Sequence, residues 1–134
     1  MRIGHSGIAA LELALAAPIL ILLAVGAYDL GNDIQTSLRL ERAVRAGAQY
    51  AAADTSDLGA VQRVVISAWP ALTERDVPLP TVSCECAGVV VACTATCGTL
   101  GPARIVTVTA SRSLSPLLLR SRDHGSGTAV VRLR

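Results

Sequence analysis

Gly7-Ile8-Ala9-Ala10-Leu11-Glu12-Leu13-Ala14-Leu15-Ala16-Ala17-Pro18-Ile19-Leu20-Ile21-Leu22-Leu23-Ala24-Val25-Gly26-Ala27 is an apolar run interrupted by a single charge. Seventeen of the 20 residues from Ile8 to Ala27 are apolar, and as a helix they would span about 30 Å, the thickness of one bilayer core. Outside this stretch the chain is ordinary: residues 28–134 hold 50 apolar residues in 107, a composition that suits one small soluble domain. The overall apolar fraction of 51% is therefore an average over two unlike parts, a membrane-length segment and a modest globular head. Such a composition excludes a disordered chain.

The flanks orient the segment. Arg2 precedes it, Asp29 and Asp33 follow it, and no arginine occurs again until Arg39. By the positive-inside rule the N-terminus stays cytoplasmic and residues 28 onward are exported. A secretory signal peptide would fit Arg2, the apolar core Leu13–Val25 and a small-residue cleavage site at Val25-Gly26-Ala27, leaving Tyr28 as the new terminus. Glu12 at the head of the apolar core and Pro18 inside it suit that reading poorly. A plain single-pass anchor tolerates Glu12, which would snorkel to the interface, but does not explain it.

A third reading explains it. Gly7, four small or apolar residues and then Glu12 resemble the processing site of type IV pilin-like proteins. The stretch from Ala10 to Pro18 with the Leu/Ile run behind it, and Arg42-Ala43-Val44-Arg45-Ala46-Gly47-Ala48-Gln49-Tyr50-Ala51-Ala52 further on, are similar to TadE-like proteins, pseudopilins or minor pilins of tight-adherence (Tad, Flp-type) pilus systems. The resemblance covers residues 7–53 well and the remainder loosely. It implies cleavage of Gly7–Ile8 by a prepilin peptidase on the cytoplasmic face, with the apolar segment kept on the mature protein. Glu12 becomes the fifth mature residue, about 6 Å along the helix, where a carboxylate can neutralise the free terminal amine of a neighbouring subunit. Leu13 stands where the family usually carries Phe or Tyr. The partners implied are the prepilin peptidase, other pilins and pseudopilins, the inner-membrane assembly platform and the lipid bilayer. The implied location is the bacterial inner membrane, with the head exported.

Helical spacing continues past the membrane segment to about Ala53 through Ile34, Leu38, Glu41/Arg42, Arg45 and Ala48, and Glu41 with Arg45 forms an i,i+4 pair. Ala43, Ala46, Gly47, Ala51 and Ala52 would let another element approach closely. Asp54-Thr55-Ser56-Asp57 carries N-cap chemistry and opens a second helix, about Asp57 to Leu72, with Pro70 near its end and Trp69 as a core residue. From Pro78 the apolar period changes to two. Strands are expected at Thr81–Cys86, Val89–Thr96, Ala103–Ser113 and Thr128–Leu133, with turns at Ala87-Gly88 and Gly125-Ser126-Gly127. The layout is α+β, and with the resemblance pilin-like. Its parts are a leader over residues 1–7, a transmembrane segment over 8–27, a helix extension over 28–54 and an exported head over 55–134.

Four cysteines lie close together as Cys84-x-Cys86 and Cys93-x3-Cys97. An exported head favours two disulfides, whereas the spacing is irregular for zinc and no histidine is near. A hairpin would nest Cys86–Cys93 inside Cys84–Cys97, given a bulge. The crossed pairing, Cys84–Cys93 with Cys86–Cys97, remains the alternative.

Net charge is +2, carried by 12 arginines and no lysine, six of them after Gly98 (Arg104, Arg112, Arg120, Arg122, Arg132 and Arg134). The aromatic residues Trp69, Tyr28 and Tyr50 lie far from these arginines in sequence, so nucleic acid is not an expected partner. The residues also argue against an enzyme: His5 falls in the leader, His124 sits beside Asp123 in a Gly/Ser stretch, and no nucleophile elbow, phosphate loop or dinucleotide fingerprint occurs. No cofactor and no metal site is expected.

Overall fold

The computed structural model describes residues 6–118 and 124–133. Arg2, His5, Arg120, Arg122, Asp123 and Arg134 lie outside them. The architecture is α+β, as the periodicities imply. Helix α1 spans Ser6–Ala53, helix α2 spans Leu58–Ala68, and four strands follow: β1 (Thr81–Cys86), β2 (Val89–Val91), β3 (Ala103–Ser113) and β4 (His124–Leu133). The sheet is antiparallel throughout, in the order β2-β1-β3-β4.

The core forms where the second half of α1 lies across the sheet and α2 closes one side. Leu40, Ala43, Val44 and Ala51 from α1, Val61 and Val65 from α2, and Val106, Val108 and Ala110 from β3 are all buried, with Leu72 and Val77 from the connection. The alternation in β3 has the expected sense: Val106, Val108 and Ala110 face the helices, while Thr107 and Thr109 are half-buried on the other side and Ser111 is exposed. The small residues of α1 set the distance. A Cβ added at Gly47 would stand 2.4 Å from Val65 Cγ2 and 3.4 Å from Val108 Cγ1, so α1, α2 and β3 meet at this glycine. Ala43 and Ala51 lie on the same buried stripe, whereas Ala46 is half-buried and Ala52 exposed.

Several boundaries differ from expectation. Helix α2 ends at Ala68 instead of Leu72, because Trp69 is already extended (φ −142°, ψ 98°), consistent with a residue that precedes Pro70. Strand β4 begins at His124, four residues earlier than expected, and the segment Gly125-Ser126-Gly127 is strand paired with Arg112, Ser111 and Ala110. Its glycines serve close packing and not a turn: a Cβ on Gly127 would lie 2.9 Å from the Leu40 carbonyl carbon and 3.0 Å from the Glu41 amide nitrogen. Strand β2 ends at Val91 instead of Thr96, so Cys93 and Cys97 are not on a strand.

The disulfides explain that early stop. Ala87 (φ 51°) and Gly88 (φ 86°) make a tight two-residue turn, which sets Val89 opposite Cys86 and Val91 opposite Cys84. These are the places the nested pairing reserves for Cys93 and Cys97. The chain instead turns back at Ala92–Ala95, with the Ala95 amide donating to the Ala92 carbonyl at 2.9 Å. The pairing is the crossed one, Cys84–Cys93 and Cys86–Cys97, and no described cysteine is free. All four cysteine sulfurs are therefore held as cystine.

Candidate assembly helix and its junction with the head

Helix α1 has two environments along one continuous rod. Its first half is apolar and uncovered: in the most hydrophobic 18-residue window the mean hydropathy is 2.3 and no residue is buried. Leu11, Leu13, Leu15, Ile19, Leu20, Ile21, Leu22 and Leu23 are each about 60% exposed or more. In a water-soluble helix such surface would be a large unfavourable exposure; by length and composition it is enough to cross a membrane. The helix runs through Pro18 without interruption. Proline's missing N–H frees the Ala14 carbonyl, a loss that neighbouring helices can offset in lipid.

Glu12 and Leu13 lie in this uncovered half, both exposed. The backbone is already helical at Ser6, so the Gly7–Ile8 bond lies within α1 and not in an extended leader. Glu12 is the one ionisable residue between Ser6 and Tyr28.

The second half of α1 is held by the head. Asp29, Thr36, Leu40, Ala43 and Gly47 follow helical spacing down one face, and all five are buried. Asp29 marks the junction. Its carboxylate accepts the Leu117 amide at 3.0 Å and the Leu118 amide at 2.8 Å, which ties the connection after β3 to the helix two residues beyond Ala27. Farther along, the expected Glu41–Arg45 pair is formed at 3.3 Å on the surface.

Three aspartates brace turns and caps around α2. Asp57 caps α2, accepting from the Ala60 amide at 3.0 Å and from Arg63 at 3.0 Å, and these donors hold its carboxyl below the usual range. Asp54 is lowered by hydrogen bonds from Ser56. Asp76 is lowered chiefly by the Thr73 hydroxyl at 2.8 Å, helped by the Thr73 amide and the charge of Arg112, against a smaller opposing effect of burial. Trp69 is half-buried, packed against the core by one side. Arg112 lies 5.3 Å and Arg39 6.0 Å from its ring centroid, and Arg112 also donates to the Ala71 carbonyl. Sequence distance concealed that proximity: one of the late arginines does stand over an aromatic ring, where it serves as a packing contact.

Residues 7–49 match the family model described as TadE-like protein. Over this stretch the long helix is similar to that of TadE-like proteins. The match begins at Gly7 and ends near the close of α1, so it covers the uncovered apolar half, Glu12 and the stripe that docks on the head. No curated protein and no solved structure matches the chain significantly. A TadE-like helix with one long apolar segment fits a membrane-anchored component of a Tad pilus system.

Two features of the junction escape a sequence reading. Asp29 reads only as a topological marker and as a neighbour of Asp33. Its place on the same stripe as Thr36, Leu40, Ala43 and Gly47 is the signal that it faces inward. The arginine–tryptophan stack leaves no local signal, since Trp69 and Arg112 are joined only by the folding of the sheet.

Proposed function

We propose that this protein is a minor pilin or pseudopilin that supports assembly of a tight-adherence, Flp-type pilus. It is inserted with its N-terminus in the cytoplasm, cut by a prepilin peptidase after Gly7, and retained in the inner membrane by residues 8–27. Its role is structural and not catalytic. The observation that carries this reading is the division of α1: the head covers its second half and leaves the apolar, Glu12-bearing half free for lipid and neighbouring subunits. A soluble domain released by signal peptidase at Ala27 would cut the same helix just before Asp29, where the head begins to hold it.

In the mature chain Glu12 stands one turn from the new amine of Ile8. Its carboxylate pairs with the amine of an adjacent subunit, which removes two charges from the bilayer and sets the register between helices. Interaction partners are the other pilins of the system and its inner-membrane assembly platform.

N-terminal sequencing of the mature protein tests the proposal. Ile8 is the expected terminus; Tyr28 would identify a signal peptide and an intact Met1 a plain anchor, and either would overturn the reading. Glu12→Ala should leave a processed, membrane-bound protein that fails in pilus assembly, while Gly7→Ala should block or slow processing. Normal pili in a Glu12→Ala strain would refute the pairing role.

A further inference from the structure

We propose that Leu117 and Leu118 form a second membrane contact, a short apolar foot that Asp29 holds in the leaflet facing the head. The proposal rests on the anchor reading, because the bilayer's position is set by residues 8–27. Asp29 lies two residues beyond Ala27, about 3 Å farther along the helix axis, and therefore at the level where an embedded span meets the headgroups. At that level its carboxylate accepts both the Leu117 and the Leu118 amides. The bonds fix the backbone of these residues against α1 and leave their side chains outside, 68% and 51% exposed.

Asp29 is itself only 8% exposed, and the two leucines whose amides it accepts are not covered by the head. The arrangement suits a lipid surface. The carboxylate accepts both amides away from solvent, and the leucine side chains enter the acyl boundary. Tyr28, 63% exposed beside Asp29, has the amphipathic ring that suits the same headgroup level, and Leu30, the residue after Asp29, is exposed as well. The foot and the span then contact one leaflet from two points on the chain, 88 residues apart in sequence. Two contacts restrict the head's tilt and rotation about α1, which a single helix would leave free. The occupant is lipid of the anchoring bilayer, because the leucines are placed beside the end of the span and continue its exposed apolar surface.

The full chain, reconstituted in vesicles of phosphatidylethanolamine and phosphatidylglycerol, allows a direct test. The native cysteines are all in disulfides, so one introduced thiol takes a nitroxide label selectively. The label on Leu118→Cys should collide several-fold less often with a water-soluble nickel chelate than a label on Val130→Cys, an exposed position on β4, and more often with lipid-dissolved oxygen. Leu117→Cys should repeat the pattern. Accessibility to nickel equal to that at Val130→Cys would overturn the proposal, as would shielding from both quenchers, which would mean that protein covers the foot. A label on Leu20→Cys separates the two levels of inference. If Leu20→Cys reports lipid and Leu118→Cys reports water, only the foot is refuted; if Leu20→Cys reports water, the anchor reading and the foot fall together. Asp29→Ala, combined with the Leu118→Cys label, should move the label toward water, and an unchanged profile would refute Asp29 as the element that holds the foot.

Discussion

Gly127→Ala should destabilise the head although it adds a single methyl group and removes no hydrogen bond. The φ of Gly127 is negative or extended, since Gly88 and Gly98 are the described glycines with positive φ, so alanine meets no backbone strain there. The effect is steric. A Cβ at Gly127 would stand 2.9 Å from the Leu40 carbonyl carbon, 3.0 Å from the Glu41 amide nitrogen and 3.1 Å from Leu40 Cβ. Two of these atoms are backbone, so no rotamer change relieves the clash, and α1 must move away from β4 by several tenths of an ångström. Overpacking of this kind costs about 1–3 kcal/mol. Leu40 is fully buried at the centre of the interface, so a shift also loosens its contacts. For a head of this size the loss corresponds to a fall in Tm of roughly 4–8 °C per kcal/mol. Gly31→Ala is the control: Gly31 lies in α1 with nothing within 4 Å of an added Cβ, and the change should be neutral or stabilise by up to about 1 kcal/mol. The assay is denaturant or thermal unfolding of the full chain in detergent, followed by the fluorescence of Trp69, the single tryptophan. A Gly127→Ala protein as stable as wild type would refute the view that backbone contact sets the helix–sheet distance.

Further predictions concern the cystines and the acid limb of stability. Alkylation and mass measurement of native, unreduced protein should find no free thiol, and proteolytic fragments should join Cys84 to Cys93 and Cys86 to Cys97; four alkylatable thiols would contradict the structure. Replacing Cys86 and Cys97 together by serine should cost roughly 2–3 kcal/mol in the loop-entropy picture, measured by the same unfolding assay. The folded-state pKa of Asp76 lies below the ordinary carboxylate value of 3.8, so its contribution is present above that value and is lost as pH falls through the lower folded-state pKa. Asp76→Asn should therefore lower stability near neutrality and flatten the acid limb below about pH 4 in a stability–pH series. An acid limb as steep as in wild type would show that the Thr73 bonds do not favour the ionised form.

How far the sequence could be read depended on whether a signal was local. Strands β1 and β3 are bounded as their alternation implies; in β3 one face meets the helices and the other stays wetter, and that pattern is written every two residues. The Asp57 cap is equally local, with donor and acceptor three residues apart. The errors arise where a residue answers to a distant partner. Gly125 and Gly127 have the composition of a turn, but they are small because Thr36 and Leu40 lie against them, nearly 90 residues earlier. Cys93 and Cys97 lie in a stretch with strand propensity, and cross-links to β1 pull them out of it. The TadE-like pattern of the long helix is legible for the opposite reason: the apolar run and Glu12 lie within one continuous segment and need no distant partner to be read.

That contrast bears on what the head does for the helix. An apolar segment of this length is long enough to span a bilayer by itself, so under the proposed anchoring the head is not needed to hold the chain in the membrane. What the head adds is a fixed angular relation. Leu40, Gly47 and Gly127 lock its sheet to one face of α1, and Asp29 extends the same lock to the end of the apolar half. Because α1 is continuous, the azimuth of Glu12 about the helix axis is set relative to the sheet, apart from any bending at Pro18. If Glu12 pairs with a neighbouring subunit as proposed, the lock decides which surface of the head that neighbour meets. Separating α1 from β4 by Gly127→Ala would then impair assembly more than anchorage, with membrane-bound protein still at its normal level while pili are lost. Equal loss of both would show that the variant acts through folding alone and that the angular relation carries no separate role.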